Sequence, residues 1–131
     1  MVDGDGIINT IAGSEKRGYT GDGGPAAKAL MDSPQFLVVD ELGRIIVGDE
    51  HNSAIRIVSP EGTISTLIGG GARIISDESR SSAQEIVLND PEALLLQSNG
   101  SLLIVDGGNA RVIRMLSDGT IEHFAGRVPL E

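Results

Sequence analysis

The chain has 131 residues, of which 40% are hydrophobic and only three are aromatic, and it contains no cysteine. Its formal net charge is −9, from ten Lys and Arg against nineteen Asp and Glu. Nucleic acids and anionic membrane surfaces are bound chiefly through Lys and Arg, so this balance argues against both as partners. The lack of cysteine excludes disulfides and thiolate metal sites.

The two ends of the chain carry no fold signal. No apolar run approaches the roughly 20 residues that a membrane helix needs, and the first residues, MVDGDG, lack the pattern of a signal peptide. Residues 130–131 (Leu-Glu) resemble a cloning scar before a tag and are left out of the fold prediction.

The eighteen glycines, dispersed among Ile and Val, favour many short strands joined by turns.

Nine strands are predicted in chain order. The first is residues 6–13, GIINTIAG, and a linker over residues 14–33 follows, with one or two helical turns expected at Pro25–Met31. The next four strands are Phe36–Val39, Ile45–Val47, Ala54–Val58 and Thr63–Ile68. A second linker over residues 70–90 has its matching helical segment at Ser82–Leu88. The last four strands are Ala93–Leu96, Leu102–Val105, Arg111–Leu116 and Thr120–Ala125.

The two sets of four strands are copies of each other. Residues 34–69 and 91–126 align without a gap at an offset of 57 residues, with nine identical pairs that include Gly43/Gly100 and Asp49/Asp106. Residues 6–13 match the last strand of each copy. The first two strands of each copy are nearly continuous apolar runs, which predicts burial on both faces. The last strand alternates, which predicts a half-exposed outer strand.

Tandem four-stranded units, each with a tight hairpin such as Asn99-Gly100, are typical of β-propeller blades. We therefore predict an all-β chain with two four-stranded antiparallel blades, at residues 34–69 and 91–126. Residues 6–13 are predicted to be the outer strand of a preceding blade. A solenoid of strand–helix units is disfavoured, because nothing in residues 34–69 shows helical periodicity.

The glycine-rich segment GYTGDGGPAAKALMDSP (residues 18–34), together with the strands after it and IVDGGNARVIRMLSDGTIEHFAG (residues 104–126), resembles the NHL repeat family. The resemblance covers residues 6–126, although the second linker lacks the GDGGPA string. It implies a propeller that closes with six blades. The chain is then either excised from a longer propeller, which we favour, or a subunit of a trimeric ring. Either way we expect this chain to self-associate, because an isolated arc exposes sheet faces.

Antiparallel order places the two linkers and the loops at residues 49–52 and 106–109 at one end of the blades, the long-loop face. Because function concentrates on long loops held by a rigid scaffold, this face is the predicted binding surface. Its candidate residues are Arg17, Tyr19, Asp22, Asp49, Glu50, His51, Asp77, Glu78 and Asp106. Asp49 and Asp106 recur in both copies, which favours a structural role as acceptors of backbone N–H groups over catalysis.

No other motif predicts a catalytic, metal or cofactor site. His51 is expected to be an exposed loop residue, since the second copy has Gly108 there, and His123 an outer-strand residue. Asp22 is the single acid of Thr20–Gly24, too few ligands for calcium, so that string is interpreted as a turn. The sequence thus predicts a non-enzymatic scaffold that binds a protein or peptide. The alternative is part of a metal-dependent propeller lyase or hydrolase with its site on the propeller axis. RNA binding lacks the basic face it requires.

Overall fold

A computed structural model of the chain describes residues 1–69 and 81–126, without the side chains of residues 81, 82 and 84. The predicted site residues Asp77 and Glu78, and residues 130–131, lie outside the described residues. Blade 1 is a four-stranded antiparallel sheet in the order β1–β2–β3–β4, with strands Pro34–Val39, Ile45–Asp49, Ala54–Val58 and Ile64–Gly69. Blade 2 has the order β5–β9–β8–β7–β6, with strands Ser81–Ser82, Thr120–Gly126, Arg111–Met115, Leu102–Asp106 and Pro91–Leu96.

In the described part of the chain, the helical structure is limited to single 3-10 turns. Two lie where helical turns were predicted in the linkers, at Ala26–Lys28 and Ala83–Glu85, and two lie in the loops after β2 and β7, at Glu50–Asn52 and Gly107–Asn109. No helix within the described part of the chain is long and apolar enough to cross a membrane.

The backbone repeats as closely as the sequence does. Each first strand pairs with its neighbour through a bulge, with Phe36 opposite Gly48 in blade 1 and Ala93 opposite Val105 in blade 2. Among the described residues, the four non-glycine residues with positive φ form two pairs at the 57-residue offset: Ser33 with Asp90, and Ser53 with Ala110. Such angles are uncommon outside glycine, so their recurrence shows that the loops before β1 and β6, and after β2 and β7, have the same shape.

The main core lies between the blades, because alternate residues of each strand point to opposite faces of its sheet. Ile46, Ile55 and Ile68 of blade 1 face Leu102, Ile104, Ile113 and Ile121 of blade 2, and the second linker adds Ala83, Ile86 and Leu88. A smaller cluster forms where Ala26, Ala29 and Met31 of the first linker cover Val47, Val58 and Ile64 on the other face of blade 1. Each fully buried aliphatic side chain contributes about 1.5–3 kcal/mol.

The linkers do not stay at the long-loop face, contrary to the prediction. Gly23 donates to Ile64 O at 2.8 Å, Ile64 donates to Gly24 O at 3.1 Å, and Ala26 donates to Gly62 O at 2.7 Å. The middle of the first linker therefore lies along the outer edge of β4 and reaches the short-turn end. In blade 2, β5 pairs with the start of β9 in the same way.

Two further expectations concern the N-terminal segment and the burial of the first strand of each blade. Residues 6–13 form no strand of either sheet, and their one bridge is between Ile8 and Val2. Their role as the outer strand of a preceding blade stays a prediction, since the described residues contain no such blade. The first strand of each blade is also not buried on both faces: Leu37, Val39 and Leu95 are 59%, 54% and 60% exposed. Within residues 1–69 and 81–126, one face of each blade has no second blade against it.

Candidate functional site

The two recurring aspartates end β2 and β7, and both are completely buried. In blade 1, Asp49 Oδ1 accepts the backbone N–H of Asp32 at 2.7 Å. Its Oδ2 accepts Asn52 Nδ2 at 2.9 Å and Arg56 Nη1 at 3.2 Å. The backbone donor comes from the residue pair before β1, not from the loop after β2 as predicted. Asp49 thus ties together the linker, the loop and β3.

Blade 2 builds the same site with a differently placed arginine. Asp106 accepts the N–H of Asn89 at 2.7 Å, Asn109 Nδ2 at 2.8 Å and Arg111 Nε at 2.8 Å. Arg111 is the first residue of β8, whereas Arg56 is the third residue of β3. Both guanidinium groups also donate to a linker carbonyl at 3.1 Å, Leu30 O for Arg56 and Val87 O for Arg111. Leu30 and Val87 are equivalent in the repeat. The two arginines therefore make equivalent contacts from different positions in their strands.

These arginines were missed by sequence reasoning, although a signal was present. Each is a cation within an apolar strand, AIRIV in β3 and RVIRM in β8, and both side chains are buried. A buried cation requires a charged partner, and the recurring aspartates were the available carboxylates. The carboxylates of Asp49 and Asp106 are inaccessible to a partner, so we leave these two residues out of the candidate surface.

Arg56 also fixes the glycine-rich linker to the blade. Its Nη2 donates to Asp22 Oδ1 and to Thr20 O, both at 2.9 Å, and its guanidinium lies 4.9 Å from the centre of the Tyr19 ring. Thr66 completes the cluster, with 2.7 Å contacts from its hydroxyl to the Tyr19 hydroxyl and to Asp22 Oδ2. Of the predicted residues, Tyr19, Asp22 and Asp49 are therefore brought together around Arg56, while Asp106 belongs to the other blade.

Glu50 and His51 form the 3-10 turn after β2. His51 Nδ1 lies 3.0 Å from Ser33 Oγ and 3.4 Å from Asp32 Oδ1. This is not the arrangement of a hydrolase triad, in which serine and aspartate bind different nitrogens of the imidazole. The contacts hold a half-exposed histidine against the residues before β1. Arg17 is exposed, and a backbone bridge joins its residue to Met31.

The remaining motifs have structural contacts. The turn at Thr20–Gly24 brings Gly21, with a φ of +101°, so close to Ala29 that an added Cβ would lie 2.7 Å from the Ala29 Cβ. His123 Nε2 lies 3.0 Å from Gly126 O. Within residues 1–69 and 81–126, no group of three or more His, Asp or Glu side chains lies close enough to hold a metal ion.

A cleft that the sequence did not predict lies at the opposite, short-turn end. It has a volume of about 770 Å³, and the turns at residues 40–44 and 97–100 form its rim above Ile46, Ile57 and Leu102. Partial burial by itself would raise the pKa of Asp40, which lies on this rim. Hydrogen bonds from the Arg44 amide and guanidinium and the Leu42 amide outweigh that effect and lower the pKa below the ordinary 3.8. The cleft is formed between two blades, so neither copy of the repeat shows it alone.

The family model of the teneurin NHL domain matches residues 15–128. The chain belongs to this family. Teneurin-4 of Mus musculus is 32% identical to it over 112 residues, which cover 82% of this chain and 4% of that relative's length. The NHL resemblance of the repeat is thereby confirmed, and the match continues through the second linker, which lacks the GDGGPA string.

Solved structures show the same fold as this teneurin-type NHL segment. A putative phosphatase from Bacteroides thetaiotaomicron superposes with a TM-score of 0.61 at 22% identity, over 88% of this chain and 26% of that one. A protein of unknown function from the same organism gives 0.58 at 18% identity, over 72% and 24%. Virginiamycin B lyase from Staphylococcus aureus gives 0.51 at 14% identity, over 73% and 28%. At these identities the likeness shows the β-propeller fold alone.

Proposed function

We propose that this NHL segment is a non-enzymatic scaffold that binds a protein or peptide at its long-loop face, through the candidate surface formed by Arg17, Tyr19, Glu50 and His51. The observation that carries the proposal is that Tyr19 is a 41% exposed aromatic residue already fixed by its contacts with Thr66 and Arg56. A rigid aromatic side chain loses little conformational entropy on binding, which is one reason for the enrichment of Tyr in interfaces.

The surroundings of Tyr19 are those of a polar protein surface. Asn52 Nδ2 donates to Gly18 O at 2.8 Å, which places Tyr19 next to the loop that carries Glu50 and His51. Arg17 and Glu50 add charges of both signs. Since the whole chain has a net charge of −9, electrostatic complementarity favours a partner segment with an excess of Lys and Arg.

The recurring acids support a scaffold rather than an enzyme. Asp49 and Asp106 each accept one backbone N–H, one Asn amide and one Arg guanidinium, and both are completely buried. Carboxylates used in this way hold loops in place and have no open side toward a substrate. The loop that Asp49 holds carries Glu50 and His51 of the candidate surface.

The test is a selection of peptides from a display library on the immobilised chain, followed by binding measurements on charge-reversed variants. Arg17→Glu and Glu50→Lys change the candidate surface. Asp22 is not reversed, because it pairs with the buried Arg56 and its loss would disturb the fold. Glu61→Lys is the matched control, an exposed acid in the short turn between β3 and β4.

We expect the selected peptides to lose affinity for the Glu50→Lys variant and to bind the Glu61→Lys variant as well as the parent. Arg17→Glu adds negative charge to the candidate surface and should strengthen the binding of a peptide rich in Lys and Arg. Tyr19→Leu should weaken binding by about tenfold or more, as expected for a central interface residue. If the peptides bind all of these variants equally, the binding surface lies elsewhere on the blades.

A further inference from the structure

The cleft at the short-turn end has one wall from each blade. Ile46, Ile57 and Leu67 of blade 1 and Leu102 and Met115 of blade 2 line it. All five belong to the core between the blades or pack against it. The cleft therefore does not depend on what covers the outer face of either blade. Its volume of about 770 Å³ lies within the range of about 300–1,000 Å³ that ligand sites have.

The rim of the cleft combines an apolar side chain with an excess of negative charge. Leu42 on the rim is 70% exposed. Asp40 pairs with Arg44 at 2.6 Å, so these two charges cancel. Glu41 and Asp118 are further acids among the lining residues, and both are exposed. An occupant with cationic groups beside apolar ones would match both the rim and the interior of the cleft.

Gln97, on the blade 2 side of the rim, has an acceptor without a hydrogen bond. The 57-residue offset relates Gln97 to Asp40, whose carboxylate accepts two backbone N–H groups and so closes its turn. In blade 2, Asn99 Oδ1 closes the turn instead, by accepting the N–H of Ser101 at 2.9 Å. Gln97 Oε1 is left buried, and within the described residues it has no donor.

This unpaired acceptor favours an occupant that donates hydrogen bonds. A buried acceptor without a donor destabilises the unbound state, and a donor that reaches it removes the penalty. The last torsion of a glutamine side chain has broad energy minima, so the amide of Gln97 can turn into the cleft. A peptide backbone supplies an N–H donor at every residue except proline, which makes a peptide better suited to the cleft than a purely apolar molecule.

We propose that this cleft binds an extended peptide segment in which apolar side chains alternate with Lys or Arg. Alternate side chains of an extended chain point to opposite sides, so the apolar ones enter the cleft. The long stems of Lys and Arg lie along apolar surface and bring their charges to the acids of the rim. A backbone N–H of the segment donates to Gln97. The cleft is separate from the candidate surface at the long-loop face, and this inference does not rest on that surface.

The first test is an NMR titration of the chain with a hexapeptide of alternating Leu and Lys, blocked at both ends. We expect saturable shifts of the amide resonances of Gly100 and Gly119, which line the cleft, and none for Gly62 in the turn between β3 and β4. Hexapeptides of alternating Leu and Glu, or Ser and Lys, should not bind, since one lacks cations and the other lacks apolar side chains. If the Leu and Lys peptide leaves Gly100 and Gly119 unchanged, the proposal is overturned.

Two charge reversals separate the cleft from a general attraction of cationic peptides to an acidic chain. Glu41 and Glu61 are both exposed acids in short turns of blade 1, but Glu61 does not line the cleft. Glu41→Lys should weaken binding by about threefold to tenfold, because it replaces an attraction by a repulsion. Glu61→Lys should change it by less than about twofold, since solvent and salt screen a more distant charge. Equal weakening by both variants would overturn the proposal.

Gln97→Leu distinguishes a role in binding from a role in the fold. It removes the unpaired acceptor, so the midpoint of urea denaturation should be at or above that of the parent, while the affinity for the Leu and Lys peptide should fall by about threefold or more. Unchanged affinity together with a lower midpoint would overturn the proposal, because Gln97 would then serve the fold and not the peptide.

Discussion

The buried aspartate of blade 1 should accept an arginine from the position that blade 2 uses. Blade 2 has Arg111 where blade 1 has Ala54, and Ile113 where blade 1 has Arg56. Arg56→Ile alone removes the cation beside Asp49, and adding Ala54→Arg recreates the arrangement of blade 2. We expect the first change to destabilise the chain strongly and the second to restore part of the loss.

The magnitudes follow from burial. Removing one partner of a buried ion pair costs about 3–5 kcal/mol, because the remaining charge is left without compensation. In the double variant the pair is restored, and what stays lost is the contact of Arg56 with Asp22, with Thr20 O and with the Tyr19 ring. The Asp22 side chain is 47% exposed, and a pair screened in this way contributes about 0.2–1 kcal/mol. The restored buried pair outweighs these losses, so the double variant should be more stable than Arg56→Ile by at least about 1 kcal/mol.

Urea denaturation followed by circular dichroism measures the free energies of unfolding of the parent, both single variants and the double variant. Ala54→Arg alone closes the cycle, and it should destabilise by adding a second buried cation to a packed site. If Arg56→Ile leaves no folded chain, recovery of folded structure in the double variant is the positive result. A double variant no more stable than Arg56→Ile would refute the view that the carboxylate is the fixed element of the site.

Three further changes test the packing, the rim of the cleft and one turn. Gly48→Val should cost about 1–3 kcal/mol by colliding with Phe36, and Phe36→Ala in the same chain should relieve part of it, as a double-mutant cycle would show. Ionised Asp40 contributes stability that is fully present above pH 3.8 and is lost as the pH falls through its lower folded-state pKa. Asp40→Asn should therefore destabilise at neutral pH, with the difference from the parent vanishing in acid unfolding curves. Gly69→Ala should lower the melting temperature, since φ is +106° and the new Cβ would lie 2.7 Å from Ser53 O.

Much of the blade architecture was predictable because it is local. Strand pairing follows from alternating residues and from turns such as Leu42-Gly43 and Asn99-Gly100, and repetition of the pattern doubles the signal at each position. The observed strand bounds agree with the predicted ones to within two residues: β2 runs on to Asp49, for example, whereas β8 ends one residue earlier than predicted, at Met115. Asp49 and Asp106 could be assigned a structural role for the same reason, since a residue needed in every blade is needed by the blade.

The parts that could not be predicted depend on contacts between distant segments. The path of the first linker is set by the edge of β4, to which Gly23 bonds, and by the turn before β4, to which Ala26 bonds, and nothing within the linker sequence indicates these partners. The exposure of Leu37 and Leu95 depends on whether another blade covers them, while their residue types alone indicate burial. The cleft at the short-turn end needs the turns of both blades at once.

Exchange of the arginine position separates what the fold requires from what is free to vary. Both blades keep an aspartate followed three residues later by an asparagine, while the arginine moves by two residues along the strand and returns to the same carboxylate. The residues of the candidate surface, in contrast, are not kept between the two blades: Glu50 and His51 of blade 1 correspond to Gly107 and Gly108 in blade 2. Since the loop keeps its shape with either pair, the fold does not account for the side chains of Glu50 and His51. A function specific to this chain is therefore expected at blade 1 and at the residues that the second copy lacks.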